Sequence, residues 1–175
     1  YDARDADTSR ELYDEWAASY EAEVADNGYA TPERCAAALA EHLSDKKAPI
    51  LDFGCGTGLS GLALKLAGFE VIDGVDLSAD MLKVAEDKNL YRTLTQIEAE
   101  SGVPGEPGDY AAIAAIGVIG AGAAPIALFD TLVNGLTSGG YLVFSFNDHA
   151  LANPANEGKL NEWLDCGAAR LLFRE

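Results

Sequence analysis

Nothing in this sequence is long and apolar enough to cross a bilayer: no such run reaches the roughly 18 residues a membrane helix needs. The nearest candidate, residues 110–128, is mostly Ala and Gly and is broken by Pro125, so it reads as a buried strand followed by a loop. Cysteine is scarce. Cys35, Cys55 and Cys166 are odd in number and far apart, which argues against a disulfide framework and a cysteine zinc site and fits a cytoplasmic, reducing setting. His42 and His149 are too few for a histidine-rich metal centre, so no metal is expected. No signal peptide is visible. Bases are short too: 12 Lys and Arg stand against 29 acids, for a net charge of −17. That field repels phosphate backbones, so nucleic acid is disfavoured as a partner, and no membrane partner is expected.

What is present alternates in period. Leu12, Trp16, Tyr20 and Val24 recur every fourth residue, which predicts a helix over 9–24 with one apolar face and an end at Asn27-Gly28. Thr31-Pro32-Glu33 reads as a second start, with Thr31 as hydroxyl cap, and Cys35, Ala38, Leu39 and His42 face inward. From residue 48 short apolar strands alternate with helices: strands at 49–53, 70–76, 91–95, 110–116, 141–146 and 169–173, helices at 59–67, 79–88, 125–136 and 157–165. Ser78 reads as a helix cap. The alternation implies parallel βαβ units with right-handed crossovers. It divides the single domain into an N-terminal helical cap, 1–47, and a core, 48–175. Ligands bind such sheets beyond the carboxyl ends of the strands, here 54–58, 76–78, 96–98, 117–122 and 147–149.

The strongest signal is Ile50-Leu51-Asp52-Phe53-Gly54-Cys55-Gly56-Thr57-Gly58-Leu59-Ser60-Gly61, a strand, a glycine turn and a helix start. Glycine permits positive φ and lets a ligand lie against bare backbone, and the helix start offers unpaired N–H groups. Gly56-x-Gly58-x-x-Gly61 satisfies the dinucleotide fingerprint in form. The glycines themselves run Asp52-x-Gly54-x-Gly56-x-Gly58, with Asp52 two residues before the first, and two adenosine cofactors could use such a turn. Asp76, at the end of the second strand, suits the ribose hydroxyls of either. Asp73, inside that strand, reads as an outward-facing residue.

The Asp-x-Gly-x-Gly-x-Gly pattern resembles motif I of class I S-adenosylmethionine-dependent methyltransferases. With Gly74-Val75-Asp76-Leu77-Ser78-Ala79-Asp80-Met81-Leu82, Tyr13-Asp14-Glu15-Trp16-Ala17-Ala18-Ser19-Tyr20, Asn27-Gly28-Tyr29 and Ala115-Ile116-Gly117-Val118-Ile119-Gly120, the chain is similar to the Williams–Beuren syndrome chromosome region 27 methyltransferase-like group. The resemblance implies a doubly wound, mostly parallel, Rossmann-like sheet and S-adenosyl-L-methionine as cofactor, with S-adenosyl-L-homocysteine as product. It implies that Asp52, Gly54, Cys55, Gly56 and Gly58 form the cradle for the methionine half. Asp76 would bind the ribose, with Leu77 and Met81 near the adenine. A residue among Gln96, Ile97 and Glu98 would meet the adenine amino group. Ile116 and Gly117 would lie near the sulfonium, and Tyr20 would close over the site from the N-terminal helix, which is expected as a mobile lid, with a permanently docked helix as the alternative.

Two features depart from the pattern. Ala111 stands where an acid usually opens the fourth strand, with Asp109 two residues earlier. The usual fold has seven strands, and the seventh is not evident. Methyl transfer needs positioning more than a general base. Asn147, Asp148 and His149, after the fifth strand, are the only base candidates, and the acceptor is not legible. An NAD-dependent oxidoreductase and a non-catalytic S-adenosylmethionine-binding module are the alternative readings.

Overall fold

The computed structural model describes residues 3–27, 30–119, 127–146 and 148–175, with the side chains of 3–10, 12, 13, 26, 27, 148 and 149 excepted. The elements in chain order are α1 (Ala3–Asn27), α2 (Thr31–His42), β1 (Ile50–Phe53), α3 (Leu59–Leu66), β2 (Ile72–Asp76), α4 (Ala79–Asp87), β3 (Thr93–Gln96), β4 (Ala112–Ile119), α5 (Ala127–Asn134), β5 (Tyr141–Phe146), α6 (Asp148–Ala152) and α7 (Pro154–Asp165). The strands form one sheet in the order β3-β2-β1-β4-β5, and every pairing is parallel.

Period-two alternation decides which face each strand residue serves. Ile50, Ala112, Ala114 and Ile116 point to one face, where they pack with Cys35 and Leu39 of α2, Leu62 and Leu64 of α3, and Tyr20 of α1. Leu51, Phe53, Ile113 and Ala115 point to the other, against Phe129 and Leu132 of α5 with Leu160 and Trp163 of α7 alongside. Both faces are therefore covered, which is why the strands read as continuous apolar runs. β1 lies at the centre. The chain leaves it for β2 and β3 on one side, then returns to β4 and β5 on the other, so the carboxyl ends of β1 and β4 flank the topological switch point.

Several expectations are corrected. Thr31 is not the cap of α2: the cap is Ala30, with no side-chain hydrogen bond, so the helix starts one residue earlier than read. His42 is exposed and not inward. Asp73 is not an outward strand residue. It is 4% exposed, and its carboxylate accepts from Arg92 Nε (3.0 Å), Arg92 Nη2 (2.6 Å) and the Tyr110 hydroxyl (2.8 Å). These partners hold its carboxyl below the ordinary range even though burial pushes the other way. Residues 169–173 form no strand; Leu171, Leu172 and Phe173 are 45%, 40% and 46% exposed, with no neighbour supplying a ladder. The helix expected over 125–136 is Ala127–Asn134, with 125 and 126 outside the described residues. The same holds for the turn at Gly28 and Tyr29, for the side chain of Leu12, and for 120–122. Among the described residues no helix is long and apolar enough to cross a membrane.

Candidate functional site

The glycine turn is pinned to the end of β2 from both sides. The N–H groups of Gly54 and Cys55 donate to the Val75 carbonyl at 2.9 and 3.0 Å. The Gly56 N–H donates to Asp76 Oδ2 at 2.9 Å, and the Ser78 N–H to Asp76 Oδ1 at 2.9 Å. Asp76 therefore fixes the turn and the start of α4 with one lone pair of each oxygen, leaving the others to accept. The Ser78 hydroxyl accepts from the Met81 N–H at 3.3 Å and caps α4, as read from the sequence. Gly58 takes φ +99° and caps α3 without a side chain, so the first turn of α3 meets the site through bare backbone.

Two glycines of this turn differ in what surrounds them. At Gly54 (φ +72°) an added Cβ would run into Val118 of β4. At Gly56 (φ +54°) it would meet only Met81 Sδ, at 3.8 Å, and otherwise open space. Met81 borders that space and is 46% exposed; Leu77, next in the chain to Asp76, is 51% exposed.

Asp52 is wholly buried beneath the turn. Its Oδ2 accepts from the Ser60 hydroxyl and from the Tyr91 hydroxyl, both at 2.7 Å. Its Oδ1 is the one buried carboxylate oxygen without a partner among the described residues. Burial pushes its carboxyl up to about 6. The Ser60 and Tyr91 bonds oppose that rise, and the charge of Asp76 adds to it. Burial, then the charges of Asp52 and Asp76, raise the Cys55 thiol well above its ordinary value, so it is an inert packing group. Ser60 and Tyr91 escaped the sequence reading. Their trace is Gly61 inside α3 and Gly74 inside β2, where an added Cβ would strike the Tyr91 ring.

Across the switch point β4 and β5 fall out of register. Ala115 pairs with Phe144 and Ile119 with Phe146, so β4 spends four residues where β5 spends two. Gly117 sits in this bulge at φ +72°, and its N–H donates to Ser145 Oγ at 2.8 Å. Ile116 is 7% exposed. At the end of β3, the Gln96 amide donates to the Leu77 carbonyl (3.0 Å), and the Ile97 N–H to the Asp76 carbonyl (3.0 Å). Ile97 packs into the second core cluster, while Glu98 is exposed with its N–H taken by Ser101 Oγ. The structure thus ties Gly54, Cys55 and Gly56 to the end of β2 at Val75 and Asp76, with Met81 beside Gly56, while Gly58 faces Ala85, Lys88 and Leu90. Tyr20 lies apart from these contacts: it is 6% exposed in the core cluster with α2 and α3, its hydroxyl buried and unpaired. Burial and then the Glu33 charge raise that hydroxyl. Asn147 and the side chains of Asp148 and His149 lie outside the described residues.

Asp52 is thus half-paired beneath the turn, and the space over Gly56 is open. A family model described as "Methyltransferase domain" matches residues 27–170. Methyltransferase-like protein 27 of Homo sapiens is 38% identical over 86 residues, a match taking in 48% of this chain and 35% of that protein. The chain thus matches about a third of the length of that curated relative. A ribosomal protein L11 methylase from Lactobacillus delbrueckii subsp. bulgaricus superposes with a TM-score of 0.57 at 20% identity, over 77% of this chain and 69% of that one. An S-adenosylmethionine-dependent methyltransferase from Clostridium acetobutylicum gives 0.55 at 21%, over 77% and 57%. The two superpositions show the shared fold, and the family model spans most of the chain: it belongs to the methyltransferase domain family.

Proposed function

We propose that this chain binds S-adenosyl-L-methionine at the switch point and transfers its methyl group to a small-molecule acceptor. One observation carries the reading: Asp76 holds the glycine turn through the Gly56 N–H while the half-exposed Met81 borders the open space over Gly56. When bound, the cofactor supplies a methyl group made electrophilic by its sulfonium.

The chain's residues hold and orient. Asp76 accepts from the ribose hydroxyls with its remaining lone pairs, and Leu77 and Met81 cover the adenine. The exposed carboxylate of Glu98 receives the adenine amino group, with Ile97 packed beneath it. Gly54, Cys55, Gly56 and Gly58 line the amino-acid end, above Asp52. Gly117, fixed by Ser145, and Ile116 face the sulfonium from β4. Residues 1–47 cap the core, 48–175; the Trp16 Nε1–H bond to the Lys88 carbonyl (3.2 Å) supports that docking. A general base is not required, since an in-line approach in a dry pocket is what lowers the barrier. Unpaired Cys35, Cys55 and Cys166 support a cytoplasmic setting.

A thermal-shift screen against S-adenosylmethionine, S-adenosylhomocysteine, NAD and NADP tests the cofactor, because a ligand of the native state raises its melting temperature. Stabilisation by the first two alone is expected, and stabilisation by NAD alone makes the chain an oxidoreductase. Methyl transfer from labelled cofactor to a panel of small acceptors tests the reaction; binding with no transfer to any of them marks a non-catalytic module.

A further inference from the structure

We propose that Tyr91 is a positioning residue for the amino-acid end of the cofactor: it locks one oxygen of Asp52 so that the other is presented to the ligand's ammonium group. The inference rests on the S-adenosylmethionine reading and names a residue that lies outside the glycine turn. Both donors near Asp52 converge on the same oxygen, the Ser60 hydroxyl from α3 and the Tyr91 hydroxyl from the segment entering β3, each at 2.7 Å. The other oxygen, Oδ1, is buried with nothing to accept from. A buried carboxylate left half-paired is costly, and a cation delivered to its bare oxygen relieves that cost.

The protein gives up a side chain to seat this ring. An added Cβ at Gly61 would strike the Tyr91 hydroxyl and ring, while one at Gly74 would meet Leu94 first and then Tyr91 Cε1 at 2.9 Å. Glycine inside a helix costs about 1 kcal/mol against alanine, so Gly61 facing this tyrosine marks a built contact. The groups that act on Asp52 are Ser60, Tyr91 and the Asp76 carboxylate, and Cys55 lies close by. None of these is basic, so no cation among them competes for Oδ1. Losing the Tyr91 bond raises the proton affinity of Asp52, because that bond favours its ionised form.

The test uses the full chain and its Tyr91→Phe variant, which keeps the ring and removes the hydroxyl. Calorimetry measures S-adenosylhomocysteine and 5′-methylthioadenosine, which has the adenosine and thioether but no amino-acid end, over about pH 5.5 to 8.5. The variant should bind S-adenosylhomocysteine roughly tenfold more weakly at neutral pH, the scale of a charge-assisted hydrogen bond. It should bind methylthioadenosine as the unaltered chain does. The pH below which S-adenosylhomocysteine affinity falls should move upward. Ser60→Ala should act in the same direction, and it carries the test if Tyr91→Phe does not fold. Equal weakening of both ligands, or an unmoved pH profile, makes Tyr91 a packing residue and overturns the proposal alone. Failure of the unaltered chain to bind S-adenosylhomocysteine overturns the cofactor reading, and this inference with it.

Discussion

Asp52 carries opposite demands in the free and bound protein. Its folded carboxyl lies near 6 against an ordinary 3.8, so the folded state holds that proton more tightly than the unfolded one. The stability this contributes is complete below about pH 4 and is lost as pH rises through about 6, a swing of roughly 3 kcal/mol. Asp52→Asn should therefore unfold at higher denaturant than the unaltered protein at pH 8, with the gain fading towards pH 4, while its affinity for S-adenosylhomocysteine falls. Parallel stability curves across that range contradict the assigned burial. The turn glycines separate in the same way. Gly54→Ala should cost about 2–4 kcal/mol of stability, from positive φ and the encounter with Val118. Gly56→Ala should cost about 1 kcal/mol of stability yet weaken the cofactor, and Gly56→Val should abolish binding, because the added groups enter the open space. Asp76→Ala should lose roughly 1.5–3 kcal/mol of cofactor affinity by calorimetry, while Asp76→Asn, which still accepts, should lose less. The glycines and Asp76 were legible in sequence because each is a local demand of the turn. Which glycine faces packed side chains and which faces open space was not, since that depends on Val118, in another strand. Tyr91 was hidden for the same reason: its partner Asp52 is 39 residues away.

Elements were legible where their period was clean and their neighbours were those expected. β5 falls where its apolar run ends, and α4 starts at the Ser78 cap. β2 was placed correctly but its exposure was misjudged, because Asp73 finds Arg92 and Tyr110 on segments leading into β3 and β4. An acid in an apolar run reads as outward unless its partners are known. The expected strand over 169–173 failed for a related reason: a strand exists only where an edge supplies its ladder. For α1 the periodicity gave the face but not what it meets. Trp16 donates to the Lys88 carbonyl, Lys65 lies 5.6 Å from the Trp16 ring centroid, and Lys88 Nζ pairs with Glu23 at 2.6 Å. A mobile α1 should exchange its amide hydrogens faster than α3 in the free protein and slow with S-adenosylhomocysteine. Lys88→Ala should speed exchange over residues 14–25 and leave β1 unchanged. Equal protection of α1 with and without ligand would mean a fixed helix, and Tyr20 would then serve packing alone.

On the scale of the whole molecule, alternating strands and helices were enough to foresee a parallel, doubly wound sheet, because βαβ units leave few other arrangements. They could not foresee the bulge between β4 and β5, which arises from register and not from the residues of either strand taken alone. The net charge of −17 belongs to this scale too. It predicts no retention of duplex or single-stranded nucleic acid in a gel-shift assay at roughly 0.1 M salt, and retention there would move the acceptor away from small molecules. We propose that the switch point, with Asp52 beneath the glycine turn and Asp76 beside it, is built for S-adenosylmethionine. The most direct measurement is calorimetric titration of the chain with S-adenosylhomocysteine and, separately, with NAD. One saturable site for S-adenosylhomocysteine and no heat from NAD is the predicted result; saturable NAD binding with none for S-adenosylhomocysteine contradicts it.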